Sequence, residues 1–250
     1  MDKPTSAYTH ADYESNYPDG AERFYWNVAR VKTIASILKP LKADSPRILD
    51  VGCGRGIVLS FLRQHGYDCW GCDTGPARPI SPAMQPYLLP NTDFHDLNQE
   101  FREAVHVVLL LDVVEHINDR VAFLKDCISY FPNLSHLLVT VPARMELWSQ
   151  FDEHYGHFLR FDLRTMRELL RDTGLHSYKA GYFFHTLYAL MLLSKILGIK
   201  RSIQVVPPGK GTALVHRLFG MAMAADRKVI PGFASGSSMY ALVKIERTAQ

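Results

Sequence analysis

The 250-residue sequence has no long uninterrupted hydrophobic run, no dense block of like charge, no internal repeat and few cysteines. Residues 1–20 are polar and have no apolar core, so neither a secretory signal nor a membrane anchor is expected there. The chain contains 28 Lys and Arg and 25 Asp and Glu, and its net charge of +3 is spread along its length. Without a basic patch, nucleic acid is not an expected partner. Because neither a secretory signal nor a membrane anchor is expected, we expect a cytoplasmic protein.

The chain has four cysteines, Cys53, Cys69, Cys72 and Cys127. Cys69 and Cys72 form a CWGC sequence, a spacing that also occurs in redox and metal sites. This pair lies in an apparent strand, where residues three apart point to opposite faces, and no second pair completes a zinc set. No metal site is expected, and the thiols are interpreted as small buried hydrophobic side chains in a reducing cytoplasm.

The hydrophobic pattern alternates between helical and strand-like segments. It predicts helices at 22–38, 57–65, 119–131 and 163–173. It predicts strands at 47–51, 68–73, 92–96, 105–111, 136–141, 176–184 and 238–246. Asp162 is expected to cap the fourth helix and Gly174 to end it. Such alternation is typical of an α/β fold with a mostly parallel sheet wrapped by helices.

Two additional helix-like segments interrupt this alternation between residues 183 and 230. The first, FFHTLYALMLLSKILGI, is the most apolar stretch of the chain but is short for a membrane span. One interpretation is a buried or capping helix. The other is a weak membrane-surface contact through residues 183–201, helped by Lys195, Lys200 and Arg201, which would place the protein at the periphery of a membrane.

The segment ILDVGCGRGIVL, residues 48–59, predicts a strand, a tight turn and the start of a helix. Its glycines, Gly52, Gly54 and Gly56, allow a sharp turn and close approach of a ligand. Dinucleotide-binding folds use G-x-G-x-x-G, whereas the third glycine here comes one position early. Asp50 precedes the turn, where a carboxylate would repel a pyrophosphate and attract a cationic, amino-acid-like ligand.

Acidic residues follow two other predicted strands. Asp73 comes about 20 residues after the glycine turn, the position of a carboxylate that accepts hydrogen bonds from a ribose. In VVLLLDVVEHI, residues 107–117, a buried strand ends at Asp112 and is followed by Glu115 and His116. The pattern therefore predicts a nucleoside-binding site at the carboxyl edge of the sheet.

Together these segments resemble the class I S-adenosylmethionine-dependent methyltransferases over roughly residues 22–182. The nearest branch is that of the ubiquinone-biosynthesis-type small-molecule O-methyltransferases. The resemblance implies a Rossmann-like seven-stranded sheet with its last strand antiparallel, and a helical insert before that strand. It also implies one methyltransferase domain over residues 1–250. Its parts would be an N-terminal helical lid region (1–45), a cofactor-binding core (46–182), a helical insert or cap (183–232) and the final strand (233–250).

The resemblance also implies where S-adenosylmethionine binds and where S-adenosylhomocysteine remains as product. Arg30, in NVARVKTI, would hold the cofactor carboxylate, and Asp96, in FHDLN, would meet the adenine amino group. Leu97 would contribute its backbone. The full expected set is Arg30, Asp50, Gly52, Gly54, Gly56, Asp73, Thr74, Asp96, Leu97, Leu111 and Asp112. A proline-rich loop with Pro76, Pro79 and Pro82 departs from the helical stretch that such enzymes carry after the ribose-binding acid.

The implied reaction is methyl transfer to a small-molecule acceptor, with a hydroxyl as the expected nucleophile. A histidine is suited to remove the hydroxyl proton near neutral pH, and the candidates are His157, then His116 and His154. Substrate-facing aromatic residues are expected among Tyr25, Trp26, Trp148 and Tyr155. Two alternatives stay open: a nicotinamide-dependent oxidoreductase on a similar sheet, and a non-catalytic methyltransferase-like module at a membrane surface.

Overall fold

The computed structural model describes residues 17–199, 206–209 and 211–246. These residues contain a seven-stranded sheet with the order β3-β2-β1-β4-β5-β7-β6. The strands are β1 Arg47–Val51, β2 Cys69–Cys72, β3 Leu88–Leu89, β4 Val105–Leu111, β5 His136–Pro142, β6 Tyr178–Phe183 and β7 Ser238–Lys244. The β1–β2, β2–β3 and β4–β5 pairs are parallel, whereas β7 runs antiparallel to β5 and β6. The predicted fold class is confirmed.

The helices follow the predicted order. They are α1 Tyr25–Leu38, α2 Ile57–Gln64, α3 Gln99–Ala104, α4 Arg120–Tyr130, α5 Gln150–His154, α6 Leu163–Thr173, α7 His185–Ile196 and α8 Ala213–Val229. Asp162 caps α6, because its Oδ1 accepts a hydrogen bond of 2.7 Å from the Thr165 amide, and Gly174 ends the helix at φ 86°. The predicted helical insert corresponds to α7 and α8. Among the described residues, none of the helices is long and apolar enough to cross a membrane.

The strand predicted at residues 92–96 is wrong, because this segment contains the 3-10 helix Phe94–Asp96. Side chains of the segment satisfy its own backbone: Asp93 accepts from the His95 amide at 3.0 Å, and Asp96 accepts from the Asp93 amide at 3.1 Å. Such local hydrogen bonds favour a turn over a strand. The third strand is instead Leu88–Leu89, a pair that was expected to lie in the proline-rich loop.

The described residues form two compact units. Unit 1 comprises residues from Met1–Val105 and Gln204–Met221, and unit 2 comprises residues from His106–Ile203 and Ala222–Gln250. The single-domain organisation stays a prediction. Part of the expected lid region (residues 1–16), together with Lys200 and Arg201 of the expected membrane contact, lies outside the described residues.

Unit 1 is built around β1, β2 and α2. Leu49 of β1 and Leu59 and Leu62 of α2 are fully buried, and β1 pairs with β2 from Ile48↔Cys69 to Val51↔Cys72. A Cβ atom on Gly71 would lie 2.7 Å from Cys53 Sγ, so the glycine leaves room for the turn after β1. The expected burial of the cysteines is confirmed in this unit for Cys69 and Cys72, whereas Cys53 is half-buried.

Unit 2 is built around β4 and β5. Every residue of β4 except His106 is buried, as the continuous apolar run VHVVLLL predicted for a strand covered on both faces. Val107 pairs with His136 and Leu111 with Thr140, which sets the register in which the two strands reach their carboxyl ends. These ends carry the polar residues described below.

Candidate active site

The glycine loop, residues 52–56, connects β1 to α2 in unit 1. Gly52, Gly54 and Gly56 have φ values of 75°, 54° and 72°, which disfavour residues that carry a Cβ atom. A Cβ atom on Gly56 would also lie 3.0 Å from Leu88 Cδ1. Asp50, at the end of β1, is buried. The predicted turn is therefore present.

Asp73 follows β2 and is bound by the backbone on both sides. Its Oδ2 accepts a hydrogen bond of 2.8 Å from the Gly54 amide, and its Oδ1 accepts one of 2.9 Å from the Gly75 amide. The residue is only 7% exposed, so the carboxylate is fixed in place. The backbone amides therefore fix the Asp73 carboxylate just after β2, where the sequence predicts a ribose-binding acid, and this placement fits a nucleoside cofactor.

The other cofactor-binding candidates of unit 1 are spread over several elements. The Arg30 guanidinium lies 5.1 Å from the centre of the Trp26 ring, a cation–π contact within α1. Asp96 takes part in the turn of its 3-10 helix, and the following Leu97 is buried. Thr74 is exposed. These side chains keep their expected roles only as predictions.

Arg55 fastens the segment before α1 to the glycine loop, a contact that sequence analysis missed. This arginine is 4% exposed and donates to the Tyr17 carbonyl, to Asp19 Oδ1 at 2.7 Å and to the Arg78 carbonyl at 3.0 Å. The hydrogen bond and positive charge of Arg55 lower the pKa of Asp19. The available signal was the arginine inside the glycine-rich motif, since an arginine that becomes buried there requires hydrogen-bond acceptors.

In unit 2, two predicted cofactor-binding residues end β4. Leu111 is buried, and Asp112 adopts φ 59°, in the left-handed region. The Asp112 amide donates to the Thr140 carbonyl at 2.9 Å, and the Thr140 hydroxyl lies 3.5 Å from Asp112 Oδ1. The end of β5 therefore supports the turn after β4.

Just after this turn lies the histidine cluster, formed by Glu115, His116 and His157. One ligand atom from each of the three residues lies within 4.8 Å of the others, and the two imidazole centres are 4.8 Å apart. Glu115 is fully buried, and its carbonyl accepts from the Phe158 amide at 2.9 Å, which ties the two segments together. Two imidazoles and a carboxylate can also bind a divalent cation.

The imidazoles of the cluster have different surroundings. Burial, and next the neighbouring His157, lower the pKa of His116 to about 4, while hydrogen bonds to the backbone of Tyr155 and Gly156 oppose the shift. His116 is therefore neutral near pH 7. His157 Nδ1 instead lies 2.9 Å from Asp152 Oδ1. Of the histidine candidates, His157 and His116 are brought together by the fold.

The structure does not bring the third candidate, His154, into this group. His154 lies at the end of α5 and is exposed, with its ring 5.1 Å from that of Tyr155. The helix α5 ends at His154, and the chain turns before His157. A role of His154 as the base stays a prediction.

The aromatic candidates are mostly used for packing within their own units. Tyr25 lies 5.1 Å from Phe219 of α8, and Trp148 donates its indole hydrogen to Glu153 at 3.4 Å. Tyr155, whose pKa is raised by burial, has its ring 6.3 Å from that of His157. Tyr155 is the aromatic candidate that the structure places closest to the histidine cluster among those in unit 2.

Sequence comparisons match this chain to methyltransferases. A family model described as a methyltransferase domain matches residues 23–179. The ubiquinone biosynthesis O-methyltransferase of Cereibacter sphaeroides is 31% identical over 93 residues, which cover 35% of this chain and 38% of that protein. That of Acinetobacter baylyi is 26% identical over 159 residues, which cover 52% of this chain and 66% of that protein. The matches thus span less than two thirds of the length of these relatives.

A solved structure agrees with the fold. The plantazolicin methyltransferase BpumL, in complex with a pentazolic desmethylPZN analog and S-adenosylhomocysteine, superimposes with a TM-score of 0.55. The match covers 95% of this chain and 89% of BpumL at 16% identity, so it supports the fold alone. The family model covers more than half of the chain, and the oxidoreductase alternative is set aside. The chain therefore belongs to the methyltransferase domain family.

Proposed function

We propose that this protein transfers a methyl group from S-adenosylmethionine to a hydroxyl group of a small molecule that carries an apolar part. When bound, the cofactor supplies an electrophilic methyl group on a sulfonium. The O-methyltransferase names of the two relatives support a hydroxyl acceptor. The exposed apolar surface of α7 supports an acceptor with an apolar part.

Cofactor binding is assigned to unit 1 on the geometry of Asp73. Its carboxylate, held by two backbone amides, would accept the ribose hydroxyls, and the glycine loop would let the cofactor approach the backbone. Arg30 would pair with the amino-acid carboxylate of the cofactor, and Asp96 and Leu97 would contact its adenine. The sequence also predicts cofactor binding by Leu111 and Asp112 of unit 2, and these two assignments stay predictions.

Proton removal is assigned to His157, and the observation that carries this assignment is its contact with Asp152. Because His157 Nδ1 faces a carboxylate at 2.9 Å, the other ring nitrogen is left to accept a proton. His116 is the runner-up, since its neutral imidazole can also accept a proton. Positive charge is lost from the sulfonium during transfer, so accurate positioning of the acceptor hydroxyl contributes much of the rate.

The test is a transfer assay with methyl-labelled S-adenosylmethionine and matched acceptors. Phenols and catechols with and without an alkyl tail are compared with their methyl ethers, anilines and thiophenols, and products are identified by NMR. We expect label on oxygen only, with faster transfer to the tailed acceptors. Label on nitrogen or sulfur, with none on oxygen, would contradict O-methylation. Cofactor binding without transfer to any of these acceptors would favour the non-catalytic alternative.

The three ligand atoms within 4.8 Å favour a second role for the histidine cluster, as a site for a divalent cation that binds the acceptor oxygen. The transfer rate after removal of metal ions distinguishes a base from a metal site. Protein dialysed against EDTA keeps its transfer rate if His157 acts as the base alone. It loses the rate, and regains it with Mg²⁺, Mn²⁺ or Zn²⁺, if the cluster binds a metal. Titration calorimetry with each cation on wild type and Glu115→Gln checks the binding directly.

A membrane-surface contact is proposed for α7. Leu190, Leu193 and Ile196 are 47%, 52% and 73% exposed, which leaves an apolar face on this helix. Lys195, expected to assist by its charge, is engaged within the protein, because its Nζ donates to the carbonyls of Glu146 and Trp148 at 2.8 and 3.1 Å. The apolar face rather than this lysine would therefore supply the contact.

Co-sedimentation with vesicles tests this contact. Wild type is compared with Leu190→Glu/Leu193→Glu and with Phe233→Glu, a matched change at another exposed apolar residue. We expect the α7 variant alone to lose binding to vesicles of neutral phospholipid. Equal binding by all three proteins, or no binding by wild type, would contradict the proposal.

A further inference from the structure

Asp152 is a buried carboxylate with four hydrogen-bond partner atoms. It is 0% exposed, and its Oδ1 lies 2.9 Å from His157 Nδ1 and accepts from Arg160 Nε at 2.8 Å. Its Oδ2 accepts from the amide and the hydroxyl of Ser149, at 2.9 and 3.3 Å. Burial alone would raise the pKa of Asp152, but the hydrogen bonds from His157 and Arg160 and the charge of Arg160 hold it below its usual value.

An ionised carboxylate can only accept hydrogen bonds, which fixes the chemistry of its partners. The His157 nitrogen that faces Asp152 must therefore carry the proton. In a neutral imidazole the other nitrogen, Nε2, then has the lone pair. The arrangement selects one of two tautomers of His157 without any contact to a ligand.

The surroundings of Asp152 hold the loop after α5 as well as the ring. The His157 amide donates to the Asp152 carbonyl at 2.9 Å. Arg160, 5% exposed, also donates to the Ala143 carbonyl at 3.3 Å. Both partners of Asp152 are thus buried and anchored, so the carboxylate acts on a ring that has little freedom to turn away.

We propose that Asp152 is a positioning residue for His157, which it holds in the tautomer with the proton on Nδ1 and the lone pair on Nε2. This inference rests on the proposed function of His157 and deepens it. It holds equally for the two roles of the histidine cluster, because a base and a metal ligand both need the Nε2 lone pair.

The competing explanation is that Asp152 only stabilises the start of α5, through its hydrogen bonds with Ser149. Two variants separate the explanations. Ser149→Ala removes the hydroxyl donor from Oδ2 and leaves the Oδ1–His157 contact intact. Asp152→Ala removes the carboxylate from His157 and Arg160 as well as from Ser149.

The first measurement is the tautomer itself. Protein labelled with ¹⁵N-histidine is studied by long-range ¹H–¹⁵N correlation at a pH where histidines are neutral, and the His157 signals are assigned by their loss in His157→Gln. We expect the Nδ1–H tautomer in wild type and Ser149→Ala, and loss of that single tautomer in Asp152→Ala, which leaves no carboxylate or amide oxygen beside Nδ1. The Nε2–H tautomer in wild type, or an unchanged tautomer in Asp152→Ala, would overturn the proposal.

The second measurement is the rate of methyl transfer in the same proteins. We expect kcat of Asp152→Ala to fall by about 10²-fold or more, as for loss of a positioned base, with KM for S-adenosylmethionine unchanged. Ser149→Ala should keep the wild-type kcat. A changed tautomer with an unchanged kcat would overturn the positioning role and leave the proposed methyl transfer standing. Absence of transfer in wild type would instead overturn the proposed function, while the NMR result still decides the tautomer.

Asp152→Ala leaves Arg160 without its charged partner and risks misfolding. Asp152→Glu keeps the charge but moves the carboxylate by one methylene, and it provides the second variant. We expect Asp152→Glu to retain the Nδ1–H tautomer and to recover part of kcat. If Asp152→Glu folds, shows the Nε2–H tautomer of His157 and keeps the wild-type kcat, the proposal is overturned.

Discussion

The glycine loop with Asp73 in unit 1 and the histidine cluster with Asp152 in unit 2 both present a buried carboxylate, but they hold it differently. Asp73 is held by backbone amides of Gly54 and Gly75. Asp152 is held mainly by side chains, those of His157 and Arg160. A carboxylate held by amides needs a backbone conformation, whereas one held by side chains needs specific partners and loses stability when one is removed.

The difference also separates two tasks. Backbone amides do not titrate, so the environment of Asp73 is constant over a wide range of pH, which suits a binding site. An imidazole is the side chain that most often serves as a general base, so the ring beside Asp152 suits a chemical step. Variants of Asp73 should therefore change affinity for the cofactor, and variants of His157 and Asp152 should change the rate or its pH dependence.

The largest expected effect is that of His157→Gln on the rate. Loss of a general base should lower kcat by about 10²–10⁴-fold, with KM for S-adenosylmethionine unchanged, in steady-state assays at saturating acceptor. The matched control is His106→Gln, which changes the exposed histidine of β4. A fall in cofactor affinity with kcat retained would break the proposed division between the units.

The next effect concerns stability. Asp152→Ala should lower the free energy of unfolding by about 3–5 kcal/mol, because it leaves the charge of Arg160 buried without its partner. Urea denaturation followed by circular dichroism measures the change. Asp172→Ala removes the same kind of partner from the exposed Arg171 and should cost at most about 1 kcal/mol. Equal losses in the two variants would mean that burial of the Asp152 pair contributes nothing.

The pH dependence of stability reports on His116. Its pKa of about 4 in the folded protein lies below its ordinary value of 6.5, so the unfolded chain binds the extra proton between these values. Stability from this residue is complete above pH 6.5 and is lost as the pH falls through 4, by up to about 3 kcal/mol. Urea unfolding in EDTA should show this loss in wild type and a smaller one in His116→Asn. Parallel pH profiles for the two proteins would contradict the assignment.

The smallest of the four effects is expected in unit 1. Asp73→Asn removes a charge and turns an NH₂ group toward an amide donor, so the Kd for S-adenosylmethionine should rise by about 10–100-fold. Titration calorimetry measures the Kd. Asp68→Asn, at the start of β2, loses a partly exposed ion pair with Arg47 and should keep the wild-type Kd. Unchanged affinity in Asp73→Asn would contradict the assignment of Asp73 to ribose binding.

Much of unit 1 could be predicted because its signals are local in the sequence. The spacing of Gly52, Gly54 and Gly56 specified the turn, and the strand that ends before Asp73 located the carboxylate. The error at residues 92–96 has the same origin. Asp93 and Asp96 bind nearby backbone amides, a preference of acidic residues that hydrophobic alternation does not report.

The histidine cluster could be predicted only in part. Two of its members, Glu115 and His116, follow a recognisable strand, but their meeting with His157 depends on how the chain returns after β5. Asp152 and Arg160 escaped notice because neither carries a motif, and each acquires a function through a partner five or eight residues away. The exposure of His154 likewise depends on where α5 ends, which its sequence does not mark strongly.

Arg55 has a practical consequence for work with fragments of this protein. Its side chain is satisfied by acceptors at residues 17 and 19, well upstream of the first helix. A truncation that begins at Gly20 would remove both, and of the three acceptors described above the guanidinium would retain only the Arg78 carbonyl. The conformation of the glycine loop would then change together with the N-terminus. Tags and cleavage sites are therefore best placed upstream of residue 17.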